Sequence, residues 1–358
     1  MPTERTSLHR AVVHNSATAD AGFREIPSSF ASAEARATDA TNRQAVAALA
    51  HLQILRLRFS HRLKEEATLI PFKGGVWHGV FGKALKSVDE EAYAVLFETE
   101  VRSAPWRLIA PRDATVCVRA GTMLSSEIIL FNDAISYAPA CAEAISRMGT
   151  LGLGEKRSQA TLESLTAHIG DQQISLATLF ALNDPNQCGI HASTIFTSAG
   201  SVVANQLTLR FVTPLSLKVG GEPHRETPSA LVLVLRLLSR LNGLLPEHDG
   251  QVLSPQKHQR LLAVAKTINI VGADAEWFAW ERYSGRQEST MPFGGLLGQV
   301  QYQGAPSDIA CILPWLRVAE WIGLGSKTTF GQGQILVRTM PATPNDHVGT
   351  LAKSPAFP

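Results

Sequence analysis

"GLGEK" at residues 152–156 and "GLGSK" at residues 323–327 are near copies, and each stands in the same setting. A helix-like segment precedes each: "SYAPACAEAISRMG" (136–149) before the first, "PWLRVAEWIG" (314–323) before the second. A strand-like segment follows each, "SQATLESL" (158–165) and "GQILVR" (333–338). Upstream, "LRLRF" (55–59) and "LTLRF" (207–211) alternate apolar and polar residues, as half-buried strands do. The repeated order is strand, helix, hairpin strands, helix, glycine loop, strand. It predicts an α+β chain of two tandem ferredoxin-like βαββαβ domains, the second ending in a glycine-rich loop.

The expected division is 51–170 for the first domain, 171–204 for a linker or insertion, and 205–340 for the second domain. Residues 1–50, rich in Ala, Thr, Ser and Arg, read as a poorly ordered or helical extension. The polar tail 341–358, with prolines spread through it, reads as disordered. In the first domain "GGVWHGVFGKALKS" (74–87) reads as a helix, with Val76, Val80 and Leu85 near one face and Trp77 and Phe81 beside it. "ATVCVRA" (114–120) and "MLSSEIILF" (123–131) read as strands. In the second, "SALVLVLRLLSRLNGLL" (229–245) is a strongly apolar helix with Arg236 and Arg240 four apart. "PFGGLLGQVQYQG" (292–304) reads as a hairpin arm with Gly294 and Gly295 in its tight turn. Pro314 suits the first position of the last helix and Gly323 the position just past its end.

The chain is 45% hydrophobic and 18% charged, enough to bury a sizeable core. No uncharged apolar run approaches a membrane span, and "MPTERTSLHRAVVHNS" has no continuous apolar stretch of the secretory kind. Cys117, Cys141, Cys188 and Cys311 are scattered without a C-x-x-C pair, which argues against a zinc site or a disulfide framework. These features predict a cytoplasmic protein with no membrane partner. The net charge of +2 means that any basic surface must be local.

The longer stretch "GLGSKTTFGQG" (323–333) invites comparison with phosphate-binding loops. A P-loop needs Gly directly before its Lys and lies between a strand and a helix. Here Ser326 precedes Lys327, and the order is helix first, strand after. A dinucleotide fingerprint needs a third glycine where Thr328 stands. Neither nucleotide motif is present, so the chain is expected to use no small-molecule cofactor.

"WRLIAP" (106–111), "TPLSLK" (213–218), "ERYSGRQ" (281–287) and "MPFGGLLGQVQYQG" (291–304) form an ordered series closed by "LRVAEWIGLGSKTTFGQGQ" (316–334). With "WHGVFGKAL" (77–85) and "YAVLFE" (93–98), the series resembles the CRISPR repeat-processing endoribonucleases of the RAMP superfamily. The resemblance implies two ferredoxin-like, RRM-related domains and metal-independent cutting of precursor RNA within each repeat. It also implies CRISPR repeat RNA or crRNA as partner, with product often retained, and further subunits of an effector complex. The alternative is a RAMP-fold subunit that binds guide RNA without cutting it. In the family the glycine loop contacts the RNA backbone. That implies RNA contact for Gly323, Gly325, Ser326, Lys327, Thr328, Thr329, Gly331 and Gly333. An RNP1 pattern for base stacking on the open sheet is missing.

Cleavage through the 2′-hydroxyl needs a base, an acid and cationic help, and histidine can serve as either proton carrier. The family tends to keep its catalytic group in or near the first helix, which implies His78; its plain alternative is a half-buried helix residue beside Trp77. His61, in "FSHRLKEE" (59–66), is the second candidate, read otherwise as a polar residue leaving a strand end. Lys73 and Lys83 flank His78 and could steady the phosphorane. Arg282, Tyr283 and Arg286 could clamp phosphates and stack on a base, or pin the hairpin beside them. Lys156 and Arg157 could reach RNA from the first domain or serve as solvated charges after a helix cap. Trp277 and Trp280 read as core or domain-interface aromatics.

Overall fold

A computed structural model describes residues 41–98, 103–181, 188–199, 203–245, 251–284 and 289–341, with the side chains of 281–292 and 341 outside that description. Residues 1–40 of the extension 1–50 and residues 342–358 of the tail 341–358 lie outside the described residues. The first part of the chain runs α1 (41–49), β1 (Gln53–Leu63), β2 (Ala67–Thr68), α2 (Gly74–Val88), α3 (Glu90–Tyr93), β3 (Trp106–Ile109) and β4 (Cys117–Val118). It continues through β5 (Met123–Phe131), α4 (Ala138–Leu151), β6 (Ala160–Ile169), β7 (Gln172–Ile174), α5 (Leu176–Ala181), β8 (Ile190–His191) and α6 (Ala192–Ser198). The second part runs β9 (Ala204–Leu215), β10 (Leu217–Val219), β11 (Glu222–His224), α7 (Ala230–Leu244) and α8 (Pro255–Thr267). It closes with β12 (Asn269–Ser284), β13 (Ser289–Gln303), α9 (Pro306–Ile322) and β14 (Ile335–Pro341).

The first sheet has the order β3-β5-β1-β6-β7, and the second β12-β13-β9-β14, with antiparallel neighbours throughout. In both, the first strand of the unit is central, flanked by the third and fourth, with the second outside the third. That is the ferredoxin-like order, used twice. The alternation of β1 sends Leu55, Leu57 and Phe59 into one core with Trp77 and Phe81 of α2 and Ile145 and Met148 of α4. In the same way Leu207, Leu209 and Phe211 of β9 share a core with Leu237 and Leu241 of α7 and Trp315 and Ala319 of α9. The repeat extends to the backbone. Helix α4 ends at Gly152 (φ 83, ψ 150) and α9 at Gly323 (φ 79, ψ 159). The next glycine in each copy, Gly154 or Gly325, also has φ near +80°, a region open to glycine and costly to other residues.

Several elements differ from the sequence-based expectation. The second strand of the first unit is β3, drawn from "WRLIAP"; "ATVCVRA" supplies only β4, which pairs with β2 away from the main sheet. Trp77, Phe81, Ala84 and Leu85 form the buried face of α2, while Val76 and Val80 are half-buried at its margin. Gly294 and Gly295 lie inside β13, opposite Ala279 and Phe278, and not in a turn; the ladder runs on to Ser284 and Ser289. Their role is close approach: a Cβ on Gly295 would come within 2.7 Å of the Pro214 backbone, and one on Gly294 within 2.6 Å of the Trp277 ring. Helix α9 begins at Pro306, so Pro314 falls in its interior. The missing N–H there is outweighed by burial, since Ile312, Leu313, Trp315 and Leu316 are all in the core. Residues 171–204 add β7 and β8 to the first sheet, and α6 sets Phe196 edge-on against Trp315 of α9, centroids 5.0 Å apart. Helix α1 also joins the second core through Ala45 and Leu49.

Candidate nucleic-acid interface

The loop after α9 is closed by its own backbone. Gly323 N–H donates to Ala319, Leu324 N–H to Gly333 at 2.9 Å, Ser326 N–H to Ser216 at 2.8 Å and Gly333 N–H to Pro214 at 3.0 Å. Phe330 and Gly331 N–H groups donate to the carbonyls of Lys327 and Thr328. Many of the amides that could meet phosphate are thus already engaged, and the glycines chiefly let the loop fold onto β9 and β10. A Cβ on Gly325 would overlap the Ser216 carbonyl oxygen, and one on Gly333 the carbonyl of Leu324. Gly331 is different: its Cβ would meet Ala110 at an ordinary 3.5 Å, although φ is 82°. Lys327 holds a left-handed conformation (φ 59, ψ 30), uncommon for a residue with a Cβ, and its Nζ lies 3.7 Å from the Phe293 ring centre. Burial, then the charge of Lys218, lowers the Lys327 pKa.

His78 reaches this loop from the other unit. Its Nδ1 is 3.1 Å from the Thr329 carbonyl, and its ring stacks on Phe330 with centroids 3.7 Å apart. Trp106 lies parallel to it at 5.7 Å and Phe97 tilted at 5.0 Å. A carbonyl only accepts, so Nδ1 carries a proton, and in the neutral ring the lone pair falls on Nε2. Helix α2 comes so near that a Cβ on Gly74 would overlap the Phe330 carbonyl oxygen. A run of rings continues past the loop: Phe330 to Phe293 at 5.3 Å, Phe293 to Trp280 at 5.7 Å, and Trp280 to Phe72 at 4.9 Å. Trp280 thereby joins the two units as an interface aromatic.

The remaining candidates separate. His61 is fully buried, its Nε2–H donating to the Ile145 carbonyl at 3.1 Å. It shares the inward face of β1 with Leu57, Phe59 and Leu63, because that strand runs on past it instead of ending there. Lys73 is likewise buried, donating to the Asp113 carbonyl and to that of Thr115 at 3.1 Å, so it anchors a loop and does not face a phosphate. Lys83 is exposed on α2. Lys156 and Arg157 are exposed on the first-unit turn, where Arg157 also has positive φ. Arg282 and Tyr283 fall within β12, with side chains outside the description, and Arg286 lies outside the described residues altogether.

Burial also makes His61 a test of its own. Desolvation outweighs the Ile145 hydrogen bond and holds its pKa below the ordinary 6.5. The unfolded chain therefore takes up a proton near pH 6.5 that the folded chain refuses, and stability falls as pH drops below that value. His61 Nδ1 has no partner, so an apolar replacement of similar size should be nearly neutral at pH 7.5. We expect His61→Leu to unfold in urea like wild type at pH 7.5, to outlast it at pH 5.5, and to cut RNA normally. A folded but inactive His61→Leu protein would return His61 to the reaction.

Two arginines not assigned to the site from the sequence organise it. Arg107, from β3, is fully buried and donates through Nη1 to the carbonyls of Glu320 and Trp321, at 3.3 and 3.1 Å. Arg240, from α7, is buried and donates through Nε to the Ile322 carbonyl at 2.9 Å. Together they cap the C-terminal carbonyls of α9, where the helix dipole favours cations, immediately before Gly323. Desolvation by burial pushes their pKa values down to about 9 and about 10, so both stay charged at neutral pH. An arginine inside an apolar run was the available signal, but only the fold shows that both converge on one helix end. Among the described residues no group of three or more His, Cys, Asp and Glu is gathered, and no helix is long and apolar enough to cross a membrane.

The family model for the CRISPR-associated endoribonuclease Cas6 matches residues 209–335, and a model described as an N-terminal domain matches residues 52–186. None of the curated proteins matches. Among solved structures, a Cas6 product complex is 18% identical with a TM-score of 0.52, covering 80% of this chain and 100% of that one. Thermus thermophilus Cas6 is 15% identical with a TM-score of 0.53, covering 80% and 99%. A partial Cas6-RT-Cas1–Cas2 complex reaches a TM-score of 0.58 at 14% identity, covering 86% of this chain and 49% of that one. At such identities the structural likeness speaks for the fold, and the matched segment speaks for the family. Residues 209–335 match the Cas6 endoribonuclease model, and the chain carries the two-unit fold of the Cas6 structures.

Proposed function

We propose that this chain cuts CRISPR repeat RNA without metal, in the cytoplasm, with His78 as its proton-transfer group, and that it keeps the crRNA product. The observation that carries this reading is the position of His78, on the first unit's helix yet bonded to Thr329 in the second unit's glycine loop. That contact orients the ring and leaves Nε2 as the atom that takes or gives a proton. In the reaction the 2′-oxygen attacks the adjacent phosphorus and loses its proton to a base, while the bond to the 5′-oxygen breaks and that oxygen is protonated. The upstream fragment ends in a 2′,3′-cyclic phosphate and the downstream one begins with a 5′-hydroxyl. Product retention and further CRISPR subunits as partners are supported by two solved structures of similar fold, a Cas6 product complex and a partial Cas6-RT-Cas1–Cas2 complex.

Incubation of the full chain with repeat RNA in excess EDTA tests the reading. Cutting should persist and yield the cyclic phosphate. Cutting that stops with the chelator and returns with a divalent ion would overturn the metal-independent step. Tight binding with no cutting in any buffer would make the chain the non-catalytic crRNA subunit instead.

A further inference from the structure

Beside the loop lies a cleft of about 380 Å³ with an unbalanced charge. Helix α7 contributes Arg236 and Arg240, β10 contributes Lys218, and the loop contributes Ser326, Lys327 and Thr329. Among the described residues that line it there is no carboxylate. Arg240 is 7% exposed, and its Nη2, like the Nε of Arg236, is a buried donor with no acceptor. Buried guanidinium nitrogens are ordinarily satisfied, because an unmet charged donor carries its full desolvation cost. Lys218 and Lys327 repel one another across the same space. Unmatched donors, repelling cations and hydroxyls around one concave space are the chemistry of a tetrahedral anion site. The carbonyl of Thr329, a residue of this lining, is the one that receives the His78 proton bond.

Resting on the reading above, we propose that this cleft seats a backbone phosphodiester of the bound RNA beside the bond that is cut, with Arg236, Arg240 and Lys218 as its cationic partners. A phosphate there sets the register of the strand relative to His78. The Arg240 guanidinium then has two tasks, capping α9 with Nε and meeting the phosphate with Nη2. The site is therefore formed only when the last helix and its loop are in place.

The test uses the double variant Lys218→Ala/Arg236→Gln, which spares Arg240 and its structural bond, with repeat RNA titrated at several salt concentrations. The variant should unfold at the wild-type midpoint and bind RNA about tenfold or more weakly, with a log–log salt slope shallower by about one. Its single-turnover cutting at saturating RNA should also slow or shift to a neighbouring bond, because the phosphate that sets the register of the strand against His78 is held less firmly. Equal affinity and slope, in a protein whose wild type binds and cuts repeat RNA, would overturn the phosphate site and leave the nuclease reading standing. A wild type that binds no repeat RNA would remove both. Inorganic phosphate supplies the other arm. If it stabilises wild type but not the variant while RNA affinity is unchanged between them, the cleft holds a free anion and the RNA assignment is wrong.

Discussion

His78→Asn should cut repeat RNA about 10²–10⁴-fold more slowly than wild type, the usual worth of a positioned general acid or base. Its affinity for the RNA should hardly change. Asparagine is chosen because its side-chain amide can still donate to the Thr329 carbonyl, the bond by which His78 Nδ1 ties α2 to the loop. It cannot move a proton at neutral pH. Alanine would in addition remove the ring stacked on Phe330 and confuse lost chemistry with a loosened loop. Single-turnover cleavage at saturating RNA, with affinity measured separately, reads the two effects apart. A His78→Asn protein cutting at the wild-type rate would place the proton transfer elsewhere and reduce His78 to a strut between the units.

Gly74→Ala should destabilise the protein by about 1–3 kcal/mol or more and slow cutting along with it. The added methyl would overlap the Phe330 carbonyl oxygen, so helix α2 and the loop must part, carrying His78 away from Thr329. Gly79→Ala, one turn further along α2, is the matched control. A Cβ there meets nothing within 4 Å, and replacing a mid-helix glycine by alanine should stabilise by about 0.5–1 kcal/mol. Urea unfolding of the pair decides the matter. If the two substitutions shift the midpoint alike, the contact between α2 and the loop is not tight, and the account of how the units meet fails with it. The loop glycines are constrained by the same kind of close approach. Substitution at Gly325 is expected to disturb the fold through Ser216, so only Gly331, with space beside Ala110, permits a larger residue without a collision.

The duplication was legible without coordinates because it is written in local chemistry. Period-two alternation marks a strand with one buried face, and a glycine after an apolar helix marks a backbone that must turn through positive φ. Both recur at the same place in each copy, and the two chains of hydrogen-bonded strands follow the same order. The far end of β1 was misread. Leu57, Phe59, His61 and Leu63 are two apart, but the sequence reading ended the strand before His61, which its continuation to Leu63 buries. Misreadings occurred where local signals have more than one outcome. Gly294 and Gly295 suit a turn as well as a close approach, and only the backbone of Pro214 beside them selects the second. Pro314 suits a helix start, but burial on both sides of it carries the helix through.

Sequence by itself determined the two ferredoxin-like units, their glycine loops and the family they resemble, since each depends on residues near one another in the chain. Tertiary structure alone decided what the candidate residues do. His78 and Thr329 are 251 positions apart, and Arg107 and Arg240 come from different units to the same helix end. Lysine offers a further case: Lys73 is buried against carbonyls, Lys83 stands in solvent, and Lys218 lines the charged cleft. A lysine's charge is the same in all three settings. Its role follows from which acceptors and how much water the folded chain leaves around it, and those are set by packing between distant segments.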